Sequence, residues 1–333
     1  MTRIGVLGAG AISQVAHLSV LPKFDRVEVV ALCDIDLPKA RSLAARLGIP
    51  DVYDDIEDLI ALSKPDAVVV CTPNHLHEIH TITALASGVH VLCERPLALS
   101  IGGMEKIEAA REQSGAVVMV GMNHRFRSDV QTLRRYLEGG ELGSLYSIRS
   151  GWYTFRPTRQ ALGWRFHREQ SGGGAMLDLG LPLIDLGLWL AGYPRPESVS
   201  GQFNPADYGE RVEDAGCALI RCKDGLSIIV DVSWRFVGDA EKFFVNLMLS
   251  HGSASIAPLK VFKEMQGMPI NVASTGASGG ENVVNASYRS EWAHFLAMVR
   301  GGIPAPTLED QVLLHRTLEA VQQSARLGRD IEL

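Results

Sequence analysis

In the first third of the chain, short apolar runs rich in β-branched residues alternate with helical stretches. RIGVL, VEVVALC, AVVVC, HVLC and VVMVG are separated by segments such as DLPKARSLAARLG and NHLHEIHTITALASG. Continuous apolar strands of this length need cover on both faces, which constrains the chain to a parallel sheet with helices on either side. Gly48, Gly88 and Gly115 stand where helices should end, in the left-handed position that glycine takes without strain. The expected fold class is α/β, opening with a doubly wound parallel sheet.

After residue 122 the rhythm changes. A helical stretch, SDVQTLRRYLEGG, is followed by LYSIRSGWYTF, a glycine run and successive strand-like segments. AGCALIRCKDGLSIIVDVSWRF reads as a hairpin, because two alternating runs flank the turn signal Lys223-Asp224-Gly225. With KFFVNLMLS and SASIAPLKVF it predicts a second α/β domain built on a large, mainly antiparallel open sheet, one face of which must be covered by helices or by another subunit. ASTGASGGENVVN is low in apolar content and reads as a mobile loop, and TLEDQVLLHRTLEAVQQSARLG as a helix with Thr307 and Asp310 in capping-box spacing. The 333 residues thus divide into residues 1–122 and 123–333.

Composition excludes some partners. A formal charge of -6 with no basic stripe argues against nucleic acid. Five cysteines, Cys33, Cys71, Cys93, Cys217 and Cys222, show no CxxC spacing and read as reduced, buried thiols of a cytoplasmic protein. The N-terminus passes directly into a strand, and no later segment reads as long and apolar enough to span a bilayer, so no membrane is expected.

GVLGAGAIS places Gly8 and Gly10 after the first strand and before a helix, where small residues let a pyrophosphate approach backbone N–H groups near Ala11 and Ile12. Ser13 stands where the third glycine of a GxGxxG pattern would serve helix packing. Asp34, after the second strand, is placed to accept from an adenosine ribose and to repel a 2′-phosphate, which favours NAD over NADP as cofactor.

Three further segments, CTPNHLHEIH, HVLCERPLALS and GGGAMLDLGLPLID, complete a pattern. Over nearly its whole length the chain resembles the glucose-fructose oxidoreductase, inositol dehydrogenase and rhizopine catabolism family (Gfo/Idh/MocA). The resemblance implies a Rossmann domain followed by an α/β domain used for oligomerisation, and NAD(P)-dependent action on sugars, cyclic polyols or their derivatives. It also implies cofactor contacts by Thr72, Pro73, Asn74, His77, Glu94, Arg95, Asn123 and Trp164, and a substrate contact by Arg165; Tyr153, His167 and Asp185 are further candidate substrate contacts. Arg125 fits the family as well. Asp178 matches the first aspartate of the C-terminal motif and, with Arg95, forms the expected catalytic set.

Two positions depart from the family pattern. Its lysine is Arg95 and its histidine is Pro182. Arg95 stays protonated and Pro182 carries no side-chain proton, so neither moves the carbinol proton. Arg95 can still polarise a carbonyl oxygen or clamp a carboxylate. Pro182 is tolerable in a helix that starts near Met176 to Gly180. Candidate proton carriers are Asp178, Tyr153, His124 and His167. Three readings stay open: an oxidoreductase on a sugar, polyol or sugar acid; a cofactor-binding sensor without turnover; and redox-assisted elimination or glycoside cleavage, against which Pro182 argues. No metal site is implied, since the histidines of NHLHEIH fall on the cofactor segment. A homodimer or homotetramer is expected from the family resemblance and the open sheet.

Overall fold

A computed structural model describes residues 1–156, 163–204, 212–273 and 282–333. They form two compact units: residues 1–123 with 282–309, and residues 124–281 with 310–333. The segment 282–309, read from sequence as part of the second domain, lies within the first unit.

The first unit contains β1 (Thr2–Leu7), β2 (Val27–Cys33), β3 (Asp51–Tyr53), β4 (Ala67–Val70), β5 (His90–Glu94) and β6 (Val118–Gly121), in the order β3-β2-β1-β4-β5-β6. Every neighbouring pair is parallel. Val68, Val69, Val70, Val91 and Leu92 are fully buried, as strands covered on both faces require. Connecting helices are capped by side chains that satisfy first-turn N–H groups: Asp36 accepts from Lys39 N, Asp55 from Glu57 N and Asp58 N, and Ser100 from Gly103 N. Gly48, Gly88 and Gly115 have φ of 70°, 72° and 66°, the left-handed geometry expected of them. The strand order reverses between β1 and β4, which opens a crevice at their carboxyl ends where ligands of such sheets bind. Helix Val283–Val299 completes this unit with fully buried Trp292 and Phe295, each worth about 1.5–3 kcal/mol of burial.

In the second unit β7 (Leu145–Tyr153), β8 (Pro196–Phe203), β9 (Ala215–Cys222), β10 (Ser227–Ser233), β11 (Lys242–Leu249), β12 (Gly252–Ile256), β13 (Lys260–Met265), β14 (Met268–Asn271) and β15 (Ile331–Glu332) form one nine-stranded sheet. Its order is β14-β13-β12-β11-β7-β10-β9-β8-β15, antiparallel except for the parallel pair β7 and β10. The expected hairpin is β9–β10, turning at Gly225 with φ 80°. Ile148, Ile220, Ile228, Val230, Val232, Val245 and Leu247 are buried, whereas Arg149, Asp231 and Asn246 alternate with them toward the other face. Helix Leu181–Leu190 packs against the apolar face, close enough that a Cβ on Gly187 would meet Ile228 at 2.9 Å.

Two expectations are corrected here. The run Arg168–Leu190 is long and apolar enough by length and composition to cross a membrane, but 89% of its apolar window is buried inside the protein, so its apolarity is that of a core helix. Cys217 is exposed on β9, while the other four cysteines are buried and all five are free thiols. Of the expected loop at 273–285, residues 274–281 lie outside the described residues, and Val283 already begins a helix.

Candidate functional site

At the crevice of the first unit, Gly8 has φ 98° and its N–H donates to Cys33 O at 2.7 Å; a Cβ there would press on Cys71 O at 2.7 Å. Only glycine brings the turn this close to the end of β4. A Cβ on Gly10, in contrast, would meet nothing within 4 Å. The open space above Gly10, beside exposed Ala11 and half-buried Ile12, is what a pyrophosphate needs at this turn. Ser13 replaces the third glycine without an orphaned hydroxyl, because its Oγ donates to Gly10 O at 2.8 Å. Asp34 is fixed by three donors: Oδ2 accepts from Ala9 N at 2.6 Å and Lys39 Nζ at 3.1 Å, and Oδ1 from Asp36 N at 2.9 Å. Burial works against its charge, but these donors prevail and hold its carboxyl below the usual range. The residues present fit an NAD adenosine and diphosphate.

Glu94, at the end of β5, ends a directed chain of hydrogen bonds. Trp292 Nε1 can only donate, so His17 Nδ1, 3.0 Å away, accepts; His17 Nε2–H then donates to Glu94 Oε1 at 3.0 Å. Burial opposes the Glu94 charge, yet His17, Arg95 and His77 together lower its pKa. Half-buried Arg95 follows, joined to Pro96 by a cis peptide bond. Thr72, Pro73 and Asn74 line the end of β4 half-buried. His77 and Asn123 are held differently from the contacts expected of them. His77 is 1% exposed, with both ring nitrogens on backbone carbonyls, and Asn123 is buried, with its amide nitrogen 3.2 Å from Ser287 Oγ.

In the second unit the glycine run leads into a helix whose start is fixed by Glu213. Its Oε1 accepts from Gly174 N at 2.9 Å and Met176 N at 3.2 Å, and its carbonyl accepts from Ala175 N at 2.9 Å. A Cβ on Gly174 would collide with that carbonyl, so glycine is required for the approach. Burial raises the pKa of Glu213, against the pull of these N–H groups and of Arg168. Residues Met176–Gly180 form a π turn, with Leu181 N–H bonded to Met176 O, and the α-helix Leu181–Leu190 follows. Pro182 therefore falls at the start of the α segment, where the ladder has just changed register and its missing N–H is tolerated.

The π turn carries Asp178. Its Oδ2 accepts from Arg156 Nη2 at 2.6 Å and from Trp234 Nε1 at 3.0 Å, and the Arg156 guanidinium lies 4.9 Å from the Trp234 ring centroid. Asp185 is 1% exposed and pairs bidentately with Arg125, Nε to Oδ2 at 2.8 Å and Nη2 to Oδ1. Both its oxygens are engaged inside the protein, so it braces the helix instead of facing a ligand. Burial opposes the Arg125 charge, but Asp185 raises its pKa. Tyr153 donates to Asp231 Oδ2 at 3.1 Å on the sheet face, among Phe236 and Phe244. Burial and Asp231 push its phenol up to about 12, so it keeps its proton. Half-buried Arg165 lies over Trp164, 4.3 Å from the ring centroid, and His167 is exposed. His124 is buried, stacked on Phe243 and edge-on to Trp152. Among the described residues no cluster of three or more His, Cys, Asp or Glu side chains could hold a metal ion.

Arg156, Trp234, Glu213, His17 and Trp292 were not flagged by their spacing in the sequence. Each meets the site through a partner far away in the chain. Glu213, two residues before β9, carried no local mark.

Residues 2–122 match a family described as an oxidoreductase family with an NAD-binding Rossmann fold, and residues 130–255 match the GFO/IDH/MocA C-terminal domain. The chain is 28% identical to the D-glucoside 3-dehydrogenase of Escherichia coli (strain K12) over 99% of this chain and 97% of that one. Its fold superposes on GenD2 from gentamicin A biosynthesis, solved in complex with NAD, with a TM-score of 0.85 at 28% identity, covering 100% of this chain and 96% of that one. A levoglucosan dehydrogenase solved with NADH and levoglucosan shares the fold with a TM-score of 0.89 at 20% identity, covering 99% of each chain.

Proposed function

The chain belongs to the Gfo/Idh/MocA oxidoreductase family, and on that premise we propose that it is an NAD-dependent dehydrogenase acting on a CH–OH group of a sugar, cyclic polyol or sugar acid. The observation that carries this reading is the Asp178 carboxylate, held by Arg156 and Trp234 on the π turn before Pro182. A carboxylate positioned by a cation and an indole N–H is an acceptor for the hydroxyl proton of a carbinol. Bound NAD supplies the hydride acceptor. Asp178 takes the proton as the C–O bond becomes a carbonyl, and Asp178 returns it in the reverse direction. Arg95 stands at the family's lysine position, and its charge can stabilise a developing alkoxide without proton exchange or pair bidentately with a carboxylated substrate. Pro182 leaves the proton work to Asp178. Half-buried Trp164 and Arg165 and exposed His167 are the candidate substrate contacts. A cytoplasmic homodimer or homotetramer is the form in which we expect the enzyme, and light scattering on the purified protein tests the subunit number.

A second reading, a sensor that binds NAD without turnover, draws on two observations: Tyr153 is committed to Asp231, and the motif position that holds a histidine in the family is Pro182. Incubation with NAD and a panel of glycosides, polyols and aldonic acids separates the two. Formation of NADH with at least one class of substrate supports the enzyme. Tight NAD binding, together with saturable binding of a panel member and no NADH, supports the sensor.

A further inference from the structure

His77 opens the helix His77–Ala86 and is 1% exposed. Its Nδ1 lies 2.6 Å from the Pro96 carbonyl oxygen and its Nε2 2.8 Å from the Thr72 carbonyl oxygen. Carbonyl oxygens only accept. A neutral imidazole has one N–H and serves one of them; the other contact would then set a ring lone pair against a carbonyl lone pair at hydrogen-bond distance. Two N–H groups satisfy both.

The surroundings act in both directions. Burial pushes the His77 pKa down, and His75 adds to that; the two carbonyls and the Glu94 carboxylate push it up, and the balance lies below the usual histidine value. That balance and the two acceptor contacts disagree. The two contacts outweigh that balance, because Thr72 and Pro96 stand only two residues beyond β4 and β5, whose strands are paired in register from Ala67 and His90 to Val70 and Cys93. Burying an unmade hydrogen bond between fixed groups is itself costly.

We propose that His77 is a positioning residue held as an imidazolium, which ties the Thr72 carbonyl to the Pro96 carbonyl and so fixes the Glu94-Arg95-Pro96 turn against the Thr72-Pro73-Asn74 turn. The cation faces the Glu94 carboxylate, whose own partner is the neutral His17. His80, pushed down to about 4 by burial and by the His77 charge, is neutral, and its Nδ1 lies 3.0 Å from Thr72 Oγ1. Thr72 is thereby held twice, at its carbonyl by a charged ring and at its hydroxyl by a neutral one. The consequence for Arg95 rests on the role proposed for it above; the charge on the ring does not.

The test is made on the free protein, without substrate. In protein labelled with 15N-histidine, long-range proton–nitrogen correlation at neutral pH is expected to show one ring with both nitrogens protonated and slow to exchange, absent from His77→Gln. A ring assigned to His77 with one bare nitrogen overturns the proposal. If His77→Gln does not fold, neutron diffraction from deuterium-exchanged crystals of the unaltered protein reads the same quantity: a deuteron on each ring nitrogen supports it and a single deuteron overturns it. In a folded His77→Gln, kcat is expected to fall about tenfold or more while the substrate KM changes little, since displacement of Arg95 is felt in the transition state. An unchanged kcat overturns the link to Arg95 and leaves the NMR result to judge the charge.

Discussion

Arg156 holds Asp178: its Nη2 donates to the Asp178 Oδ2 at 2.6 Å, and Trp234 Nε1 shares that oxygen at 3.0 Å. Removing the cation removes the group that orients the carboxylate proposed as proton acceptor. Arg156→Met is expected to lower kcat by about 10- to 100-fold, at or below the lower end of what a positioned acid–base group itself contributes, and Arg156→Lys to recover part of it. NAD affinity, measured by quenching of protein fluorescence, is expected to stay near the unaltered value, because the contacts described for Arg156 are with Asp178 and Trp234.

Glu213 is a buried cap whose charge works against stability. Its carboxyl is raised by burial from an ordinary value of 4.5, so between that value and its folded pKa the folded chain holds more protons than the unfolded one. Stability therefore declines as pH rises through this interval. Glu213→Gln keeps an acceptor for Gly174 N and Met176 N and removes the buried charge, so its unfolding is expected to be at least as unfavourable at pH 7 and less dependent on pH. Glu213→Ala leaves two buried N–H groups without this acceptor, at a cost of about 1–3 kcal/mol. Urea titrations at several pH values measure both.

The Arg125–Asp185 pair is more sensitive to removal of one member than of both. Asp185→Asn leaves a largely buried guanidinium without its counter-charge and is expected to cost about 3–5 kcal/mol. Arg125→Met combined with Asp185→Leu is expected to regain much of that in thermal unfolding. A double variant as unstable as the single would show that the pair does more than balance charge.

Asp34 is the residue we propose for cofactor choice. Asp34→Ser removes a charged acceptor worth about 1.5–3 kcal/mol, so the Kd for NADH is expected to rise about 10- to 100-fold. Lys39, released from its 3.1 Å pairing with Asp34, then faces a 2′-phosphate without the repelling carboxylate, and the preference over NADPH is expected to narrow. Fluorescence titration with the two reduced cofactors checks this.

How much of this was legible in the chain follows from the range of each signal. The strands β1, β2, β4, β5 and β6 announce themselves because buried parallel strands are continuous apolar runs. β3 and β14 do not: the first has three half-buried residues at the sheet edge and the second is exposed at every position. The return of Val283–Val299 to the first unit rests on contacts such as Trp292 with His17, 275 residues apart, which no local pattern encodes. Gly8, Gly10 and Asp34 were readable since a turn and its acid are set by short spacing. Pro182 could be rationalised as a first-turn residue, but the π turn that accommodates it is a change of hydrogen-bond register that leaves no mark in composition. Asp185 and His77 were expected to touch ligands because they carry motif positions; the structure commits both to internal partners, Arg125 in one case and two carbonyls in the other. A motif identifies a position, and burial decides which way its side chain is used.

The most direct measurement is a single-turnover experiment in which protein stoichiometrically loaded with NAD is mixed with the substrate class that forms NADH, for the unaltered chain and for Asp178→Asn. The account predicts a burst of reduced-nicotinamide absorbance in the first and a rate lower by about 10²- to 10⁴-fold in the second, with cofactor binding intact. An Asp178→Asn protein that forms NADH as fast as the unaltered chain would contradict the assignment of Asp178 as the proton acceptor.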